Sequence, residues 1–395
     1  MKNDDHLLGN MTLSKFLEEY WQQKPLLIPN AIRDYSCPIS ADELAGLACE
    51  PEVESRIILE QGESPWQCMH GPFEESLFSQ LPETLWTLLI QSCNLHIEAF
   101  AQLLERFHFI PNWRVDDVMV SYAAPGGSVG PHTDNYDVFL LQAQGVRRWS
   151  ISTQESLEKD FIPELDLRIL KSFEAEKTWE LEAGDMLYLP PGVAHHGVAH
   201  EDDLDDCITI SIGFRAPNYT ELSTALLDEI LSQHAEKNDS TFYRDPKIPI
   251  QENCGEISDW AVQRLNRIVQ QEISTIIKDS DWVGKFLTSS VLQVDEPSES
   301  TQSITPEQCF QLLAEGNQLV RNETSKLAFI HKSKDRIHFF CNGNVSYLPI
   351  GLLEIVSIVC NNRYPSTTLL IDALDTDAAK IFLCDLLNRG YFFCR

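Results

Sequence analysis

Basic side chains are scarce in this 395-residue chain: 30 Lys and Arg stand against 60 Asp and Glu, a formal net charge of -30. That balance argues against a protein that binds nucleic acid by neutralising phosphates, since such binding needs a basic face. An acidic surface attracts cationic partners instead. Long apolar runs are missing too. No stretch approaches the ~20 residues that cross a bilayer, and the opening residues, MKNDDHLLGN, hold no apolar signal core. The 11 cysteines include no CxxC pair and no framework spacing, which argues against a disulfide-stapled domain. These absences lead to the expectation of a soluble, cytoplasmic protein with free thiols and no membrane partner. No internal repeat is visible.

What is present is the composition of an ordered globular protein. Apolar residues at 43 % and charged residues at 23 % exclude wholesale disorder, and the length suits two or three domains. The acid is unevenly placed. Residues 305–395 carry nine basic and nine acidic side chains, so the entire -30 belongs to residues 1–304. Electrostatic steering is expected from that part of the chain.

Residues 14–28, SKFLEEYWQQKPLLI, read as an amphipathic helix running into an extended segment, capped by Ser14 and ended at Pro25. Its Tyr20 and Trp21 suit core or interdomain packing. Residues 41–110 mix short helical and extended pieces. Strong strand signals follow Asn112: VMVSYAA (118–124), a Gly-rich turn PGGSVG (125–130), VFLLQAQG (138–145), RRWSIS (147–152), WELEAGDMLYLPPG (179–192) and CITISIGF (207–214). Many short strands divided by Gly and Pro turns argue for an antiparallel barrel or a double-sheet jelly roll. After Ala216-Pro217 the character changes. Residues 220–236 and 258–278 read as helices, the second with Val262, Leu265, Val269, Ile273 and Ile276 at spacings of three and four. The polar, aperiodic stretch QVDEPSESTQSITP reads as a linker, and residues 305–395 as a small α+β module of winged-helix type. The expected division is 1–215, a helical segment 216–292, a linker 293–304, and 305–395.

The chemistry is concentrated in Gly130-Pro131-His132-Thr133-Asp134. Residues two apart on an extended chain share a face, so His132 and Asp134 can offer a nitrogen and a carboxylate oxygen to one metal ion. A third ligand is expected from LYLPPGVAHHG (187–197), where a strand ends, a Pro-Pro-Gly turn follows and histidine returns. His195 and His196 compete for that place, and by alternation only one faces the metal. Two histidines and one carboxylate form the facial triad of non-haem Fe(II) oxygenases, which leaves open positions for a cosubstrate and oxygen. A 2-oxoglutarate cosubstrate is a dicarboxylate whose far end needs a cation. Arg147 and Arg148 stand on the strand after the His-x-Asp hairpin; one points inward, and a guanidinium pairs a carboxylate with two parallel hydrogen bonds. Ser121 is placed to add a hydroxyl. Tyr136 and Asp137 follow the metal motif directly and are candidates for the substrate entrance, where an inward carboxylate would suit a guanidinium.

Three stretches together resemble the bacterial ribosomal oxygenases, JmjC-domain enzymes of the cupin superfamily: FLEEYWQQKPLLI, PGGSVGPHTDNYDVFLLQAQGVRRW and LYLPPGVAHHG. The resemblance implies an α+β fold with a double-stranded β-helix (jelly-roll, cupin-type, JmjC) catalytic domain, a helical dimerisation segment and a C-terminal winged-helix-like domain. It implies Fe(II) held by His132, Asp134 and His195, and 2-oxoglutarate contacted by Arg147 and Ser121. It implies hydroxylation of a basic ribosomal protein, an arginine of large-subunit protein L-sixteen in the branch it matches best, by a homodimer. One departure stands out: many relatives carry an acidic residue after the third ligand, where this chain has His196. The charge balance of residues 305–395 argues against direct nucleic-acid binding by the last module.

Overall fold

The computed structural model describes residues 7–60, 66–155, 160–163, 165, 167–201, 206–236, 242–289 and 303–395. The chain divides into two units, Met1–Ala216 and Pro217–Arg395. In chain order the first runs α1 (Leu13–Glu19), β1 (Leu26–Ile28), α2 (Ala41–Leu47), β2 (Ser55–Leu59), β3 (Gln67–His70), α3 (Glu75–Phe78), β4 (Trp86–Ile90), α4 (Glu98–Glu105), β5 (Val115–Ala123), β6 (Asp137–Gln144), β7 (Arg147–Ser152), β8 (Lys177–Leu181), β9 (Met186–Leu189), β10 (Ala194–Ala199) and β11 (Cys207–Phe214). Eight strands form one sheet in the order β1-β9-β6-β11-β5-β4-β2-β3, and β10-β7-β8 form a second. All their pairings are antiparallel.

The large sheet is covered on both faces, which is why β6 reads as a continuous apolar run instead of an alternation. Val138 and Leu140 pack with Trp149, Ile151, Leu181 and Leu187, joining the two sheets into a jelly roll. Phe139 and Leu141 turn the other way, into a larger core with Phe16, Phe100, Phe107 and Ile212. Helix α1 anchors that core. Its cap is Thr12, whose hydroxyl accepts from the Lys15 amide at 3.3 Å, and not Ser14. Ser14 already lies inside the helix and its hydroxyl donates to Glu18 at 3.0 Å. Fully buried Phe16 meets the rings of Tyr20, Trp21, Phe109, Phe139 and Tyr188 at centroid separations from 5.0 to 6.5 Å.

The second unit opens with α5 (Tyr219–Glu236), α6 (Asp259–Lys278) and α7 (Asp281–Thr288), then runs α8 (Pro306–Ala314), β12 (Leu319–Arg321), β13 (Leu327–His331), β14 (Arg336–Cys341), β15 (Asn344–Pro349), α9 (Leu353–Asn361), α10 (Thr367–Ala373), α11 (Asp377–Asn388) and β16 (Phe392–Cys394). Strands β13-β14-β15 form an antiparallel sheet, and β12 pairs with β16. Helix α7 is fastened to that sheet: buried Asp281 accepts from His338 Nδ1 and from the Tyr347 hydroxyl. The sequence signals neither β12 nor β15. The first has three residues, and the second is short and largely exposed. Of the expected linker 293–304, residues 293–302 lie outside the described residues. No helix among the described residues is long and apolar enough to cross a membrane.

Phe16→Ala removes the ring on which five aromatic neighbours converge. It should lower the stability of the first unit by about 3–5 kcal/mol, read as loss of amide-exchange protection in β6 and β9 relative to β13 and β14.

Candidate active site

The Gly-rich turn does not continue β5. It leaves the sheet, and residues 130–134 return as an irregular arm fastened by several backbone hydrogen bonds. The His132 amide donates to the His195 carbonyl at 3.0 Å and the His195 amide to the His132 carbonyl at 2.9 Å. The Gly192 amide donates to the Asp134 carbonyl at 2.8 Å, and the Leu170 amide to that of Pro131 at 2.8 Å. Gly130 has φ +77°, a region that favours glycine, and a Cβ there would stand 2.9 Å from Ile169.

This arm brings the ligand atoms of His132, Asp134 and His195 within 4.8 Å of one another. Each histidine is oriented the same way. His132 Nδ1 lies 2.9 Å from the Gly130 carbonyl and His195 Nδ1 lies 3.0 Å from that of Val193. If Nδ1–H is the donor in both, each Nε2 is left free as a ligand. Burial, and next the neighbouring His132, push the His195 pKa down to about 4. His195 is therefore neutral at pH 7, and its 3.6 Å separation from the Asp134 carboxylate is not an ion pair. Two nitrogens and one oxygen facing one point suit a divalent transition metal with open positions. His196 points to the other face of β10, edge-on to Phe173.

The triad opens into a cavity of about 340 Å³, lined among others by Ser121, Met119, Tyr136, Arg147, Trp149, Thr209 and Ser211. Alternation along β7 places Arg147 inside and leaves Arg148 exposed. Arg147 is 3 % exposed, and its Nε and Nη2 have no hydrogen-bond partner among the described residues. A buried guanidinium without a partner is costly, and the missing partner has the properties of a carboxylate. The donor set thus fits a metal and a dicarboxylate in one cavity. Ser121 lies on its wall, donating to the Thr209 carbonyl at 3.3 Å.

Tyr136 also lines the cavity. Asp137 does not serve the entrance, and the expectation that it does is corrected. It is fully buried, and its carboxylate accepts from Gln22 Nε2 at 2.9 Å, Arg114 Nη2 at 2.9 Å and the Tyr188 hydroxyl at 2.6 Å. Its guanidinium partner comes from its own fold. The residue that the sequence reading misses is Asp117, which shares a face of β5 with Met119 and Ser121. Counting back by twos from Ser121 would have reached it. Its Oδ2 accepts from the Ser92 amide at 2.9 Å, while its Oδ1 stands 3.5 Å from where a Gly213 Cβ would lie. Tyr136 Cε2 is 3.8 Å from the same point. The Asp117 carboxylate and the Tyr136 ring thus both stand close to Gly213, with Asp116 Cβ 3.9 Å from the same point.

Comparison with known proteins agrees with this geometry. Residues 102–222 match the JmjC domain family, and residues 277–393 match the ROXA-like winged helix. The ribosomal protein uL16 3-hydroxylase of Escherichia coli (strain K12) is 35 % identical over 96 % of this chain and 96 % of its own length. The chain belongs to the JmjC-domain ribosomal oxygenases. The crystal structure of the E. coli family member YcfD covers 98 % of this chain and 99 % of its own at 34 % identity, with a TM-score of 0.85. A structure of YcfD in complex with cobalt and 2-oxoglutarate matches with a TM-score of 0.81 at 32 % identity, covering 98 % of this chain and 99 % of its own. The jelly roll and winged helix of this ribosomal oxygenase are therefore the architecture of its family.

Three substitutions separate these roles. His195→Ala should abolish metal binding measured by calorimetry with Co(II), whereas His196→Ala should retain it. Asp137→Ala should leave Arg114 without its carboxylate and destabilise the first unit by about 3–5 kcal/mol, seen as a lower thermal midpoint, with no specific change in Co(II) affinity.

Proposed function

We propose that this protein is an Fe(II)- and 2-oxoglutarate-dependent hydroxylase of a ribosomal protein, acting on an arginine side chain of a uL16-type substrate. The observation that carries the reading is the buried, unpaired Arg147 guanidinium in the same cavity as His132, Asp134 and His195. The two histidines and Asp134 would hold the metal. Arg147, helped by Ser121, would grip the far carboxylate of the cosubstrate. When bound, Fe(II) and 2-oxoglutarate supply the oxidising chemistry that puts one oxygen atom of O2 into a C–H bond, releasing succinate and carbon dioxide. The rest falls to the chain. The cavity walls Met119, Val138 and Leu140 exclude water, and the rim presents the side chain to be oxidised.

The choice of arginine rests on the Asp117 carboxylate and the Tyr136 ring that stand together beside Gly213. A guanidinium is planar, pairs with carboxylate and stacks on an aromatic face. Burial pushes the Asp117 carboxyl above its ordinary range, with neighbouring Asp116 adding to the rise. A cationic guest offsets that cost. The formal charge of -30 supplies long-range attraction for a basic ribosomal protein.

We further propose a homodimer through the helical segment. Val262, Leu265 and Val269 lie along one stripe of α6 and are 43, 50 and 55 % exposed, and Leu227 and Leu231 of α5 are also exposed. Apolar side chains repeated at helical spacing on a surface mark an interaction face. A second copy supplies the same face to cover it.

Incubating the enzyme with Fe(II), 2-oxoglutarate and uL16 should add the mass of one oxygen atom to an arginine-containing peptide and release succinate. Oxidation of a histidine, or loss of a methyl group, would replace the arginine assignment. Asp117→Asn should raise KM for uL16 by roughly tenfold or more and leave 2-oxoglutarate affinity unchanged. Val269→Glu should shift the sedimentation coefficient from dimer to monomer; an unchanged dimer would place the interface elsewhere.

A further inference from the structure

Arg147 is not the sole donor left unpaired in the cavity. Two positions along β7, on the same face, Trp149 is 4 % exposed, lines the cavity, and has an indole Nε1–H with no hydrogen-bond partner among the described residues. Buried donors are almost always paired in folded proteins, so two neighbouring exceptions on one wall of one cavity point to a common acceptor. The indole ring is held firmly. Its six-membered ring lies on Gly197, where a Cβ would come within 2.6 to 2.8 Å of Cη2, Cζ3 and Cζ2. Gly197 is directly opposite Trp149 in the β10–β7 pairing. The ring is also close to both Arg147 and His195. Its centroid is 5.8 Å from the Arg147 guanidinium carbon, and the His195 ring is 5.8 Å away in turn.

We propose that Trp149 is a cosubstrate-binding residue: its indole N–H donates a hydrogen bond to a carboxylate oxygen of bound 2-oxoglutarate, beside the pairing made by Arg147. This rests on the reading of the cavity as a 2-oxoglutarate site. A carboxylate offers about four lone-pair directions, more than one guanidinium edge and the Ser121 hydroxyl fill. An indole N–H carries no charge and cannot accept, so it selects for an anionic oxygen without competing for the metal. Gly197 is then part of the same device, because a side chain there would displace the ring.

The test uses the whole protein loaded with Zn(II), a diamagnetic ion, and labelled with 15N at its tryptophan indoles. On adding 2-oxoglutarate, the Trp149 indole N–H resonance should move downfield. Its loss in Trp149→Phe assigns it, and its NOE contacts to Gly197 assign it independently should that variant fold poorly. Trp149→Phe keeps a ring on Gly197 and removes only the donor. Calorimetry should show its 2-oxoglutarate affinity roughly tenfold weaker with Zn(II) affinity unchanged. An unmoved indole resonance in a wild-type protein that binds 2-oxoglutarate overturns the role of Trp149 and leaves the site reading intact. No binding of 2-oxoglutarate by the wild type overturns both.

Discussion

Two reciprocal backbone hydrogen bonds between His132 and His195 decide where everything else in the cavity stands. They join an irregular arm to the start of β10, continuing a pairing that begins where residues 126–128 meet Val198 and Ala199. Each histidine ring is then fixed by a local rule used twice, an imidazole nitrogen meeting the carbonyl two residues earlier. Both Nε2 atoms are thereby directed before any metal arrives, which lowers the ordering cost of binding it. Asp134 is tied into the same clasp through its carbonyl and the Gly192 amide. A ligand set preorganised by its own backbone needs little from the surrounding side chains. That leaves the cavity walls free to recognise organic groups.

Those walls carry donors from both sheets. Arg147 and Trp149 are buried on β7, and Arg56 of β2 lines the same cavity with an Nε that has no hydrogen-bond partner among the described residues. An anion entering the cavity thus meets donors on more than one wall. Charge complementarity at this range fixes orientation more than it raises affinity.

Much of this was legible in the sequence, and the omissions have physical reasons. The His-x-Asp spacing and the returning histidine lie in short segments whose chemistry is local. Alternation along β7 says only that one of Arg147 and Arg148 turns inward; the resemblance to the family names Arg147, and the burial of that residue agrees. Asp137 was misplaced because its partners, Gln22, Arg114 and Tyr188, lie 115, 23 and 51 residues away in the chain. Nothing near Asp137 announces that its carboxylate is already satisfied. Ser14 does not cap the helix for a smaller reason: Thr12, two residues earlier, offers the same hydroxyl immediately before the first helical residue, Leu13. Asp117 is not apparent in the sequence because its nearness to Tyr136 and Gly213 arises only from the pairing of β5 with β11.

The orientation of β7 illustrates how a packing constraint becomes a chemical one. A slip of one residue would send Arg147 and Trp149 outward and bring Arg148 and Ser150 inside. Apolar burial alone opposes that slip, since Trp149 and Ile151 belong to the core between the sheets. Gly197 makes it specific. It is the position opposite Trp149 in β10, and the six-membered ring rests where any Cβ would have to be. The neighbouring inward positions of β10 are His195 and Ala199, and His195 is already committed to the metal site. The large ring therefore has one place to lie, and with it in place the residue two before it must enter the cavity. Arg147 faces the cavity because a tryptophan and a glycine fit together beside it.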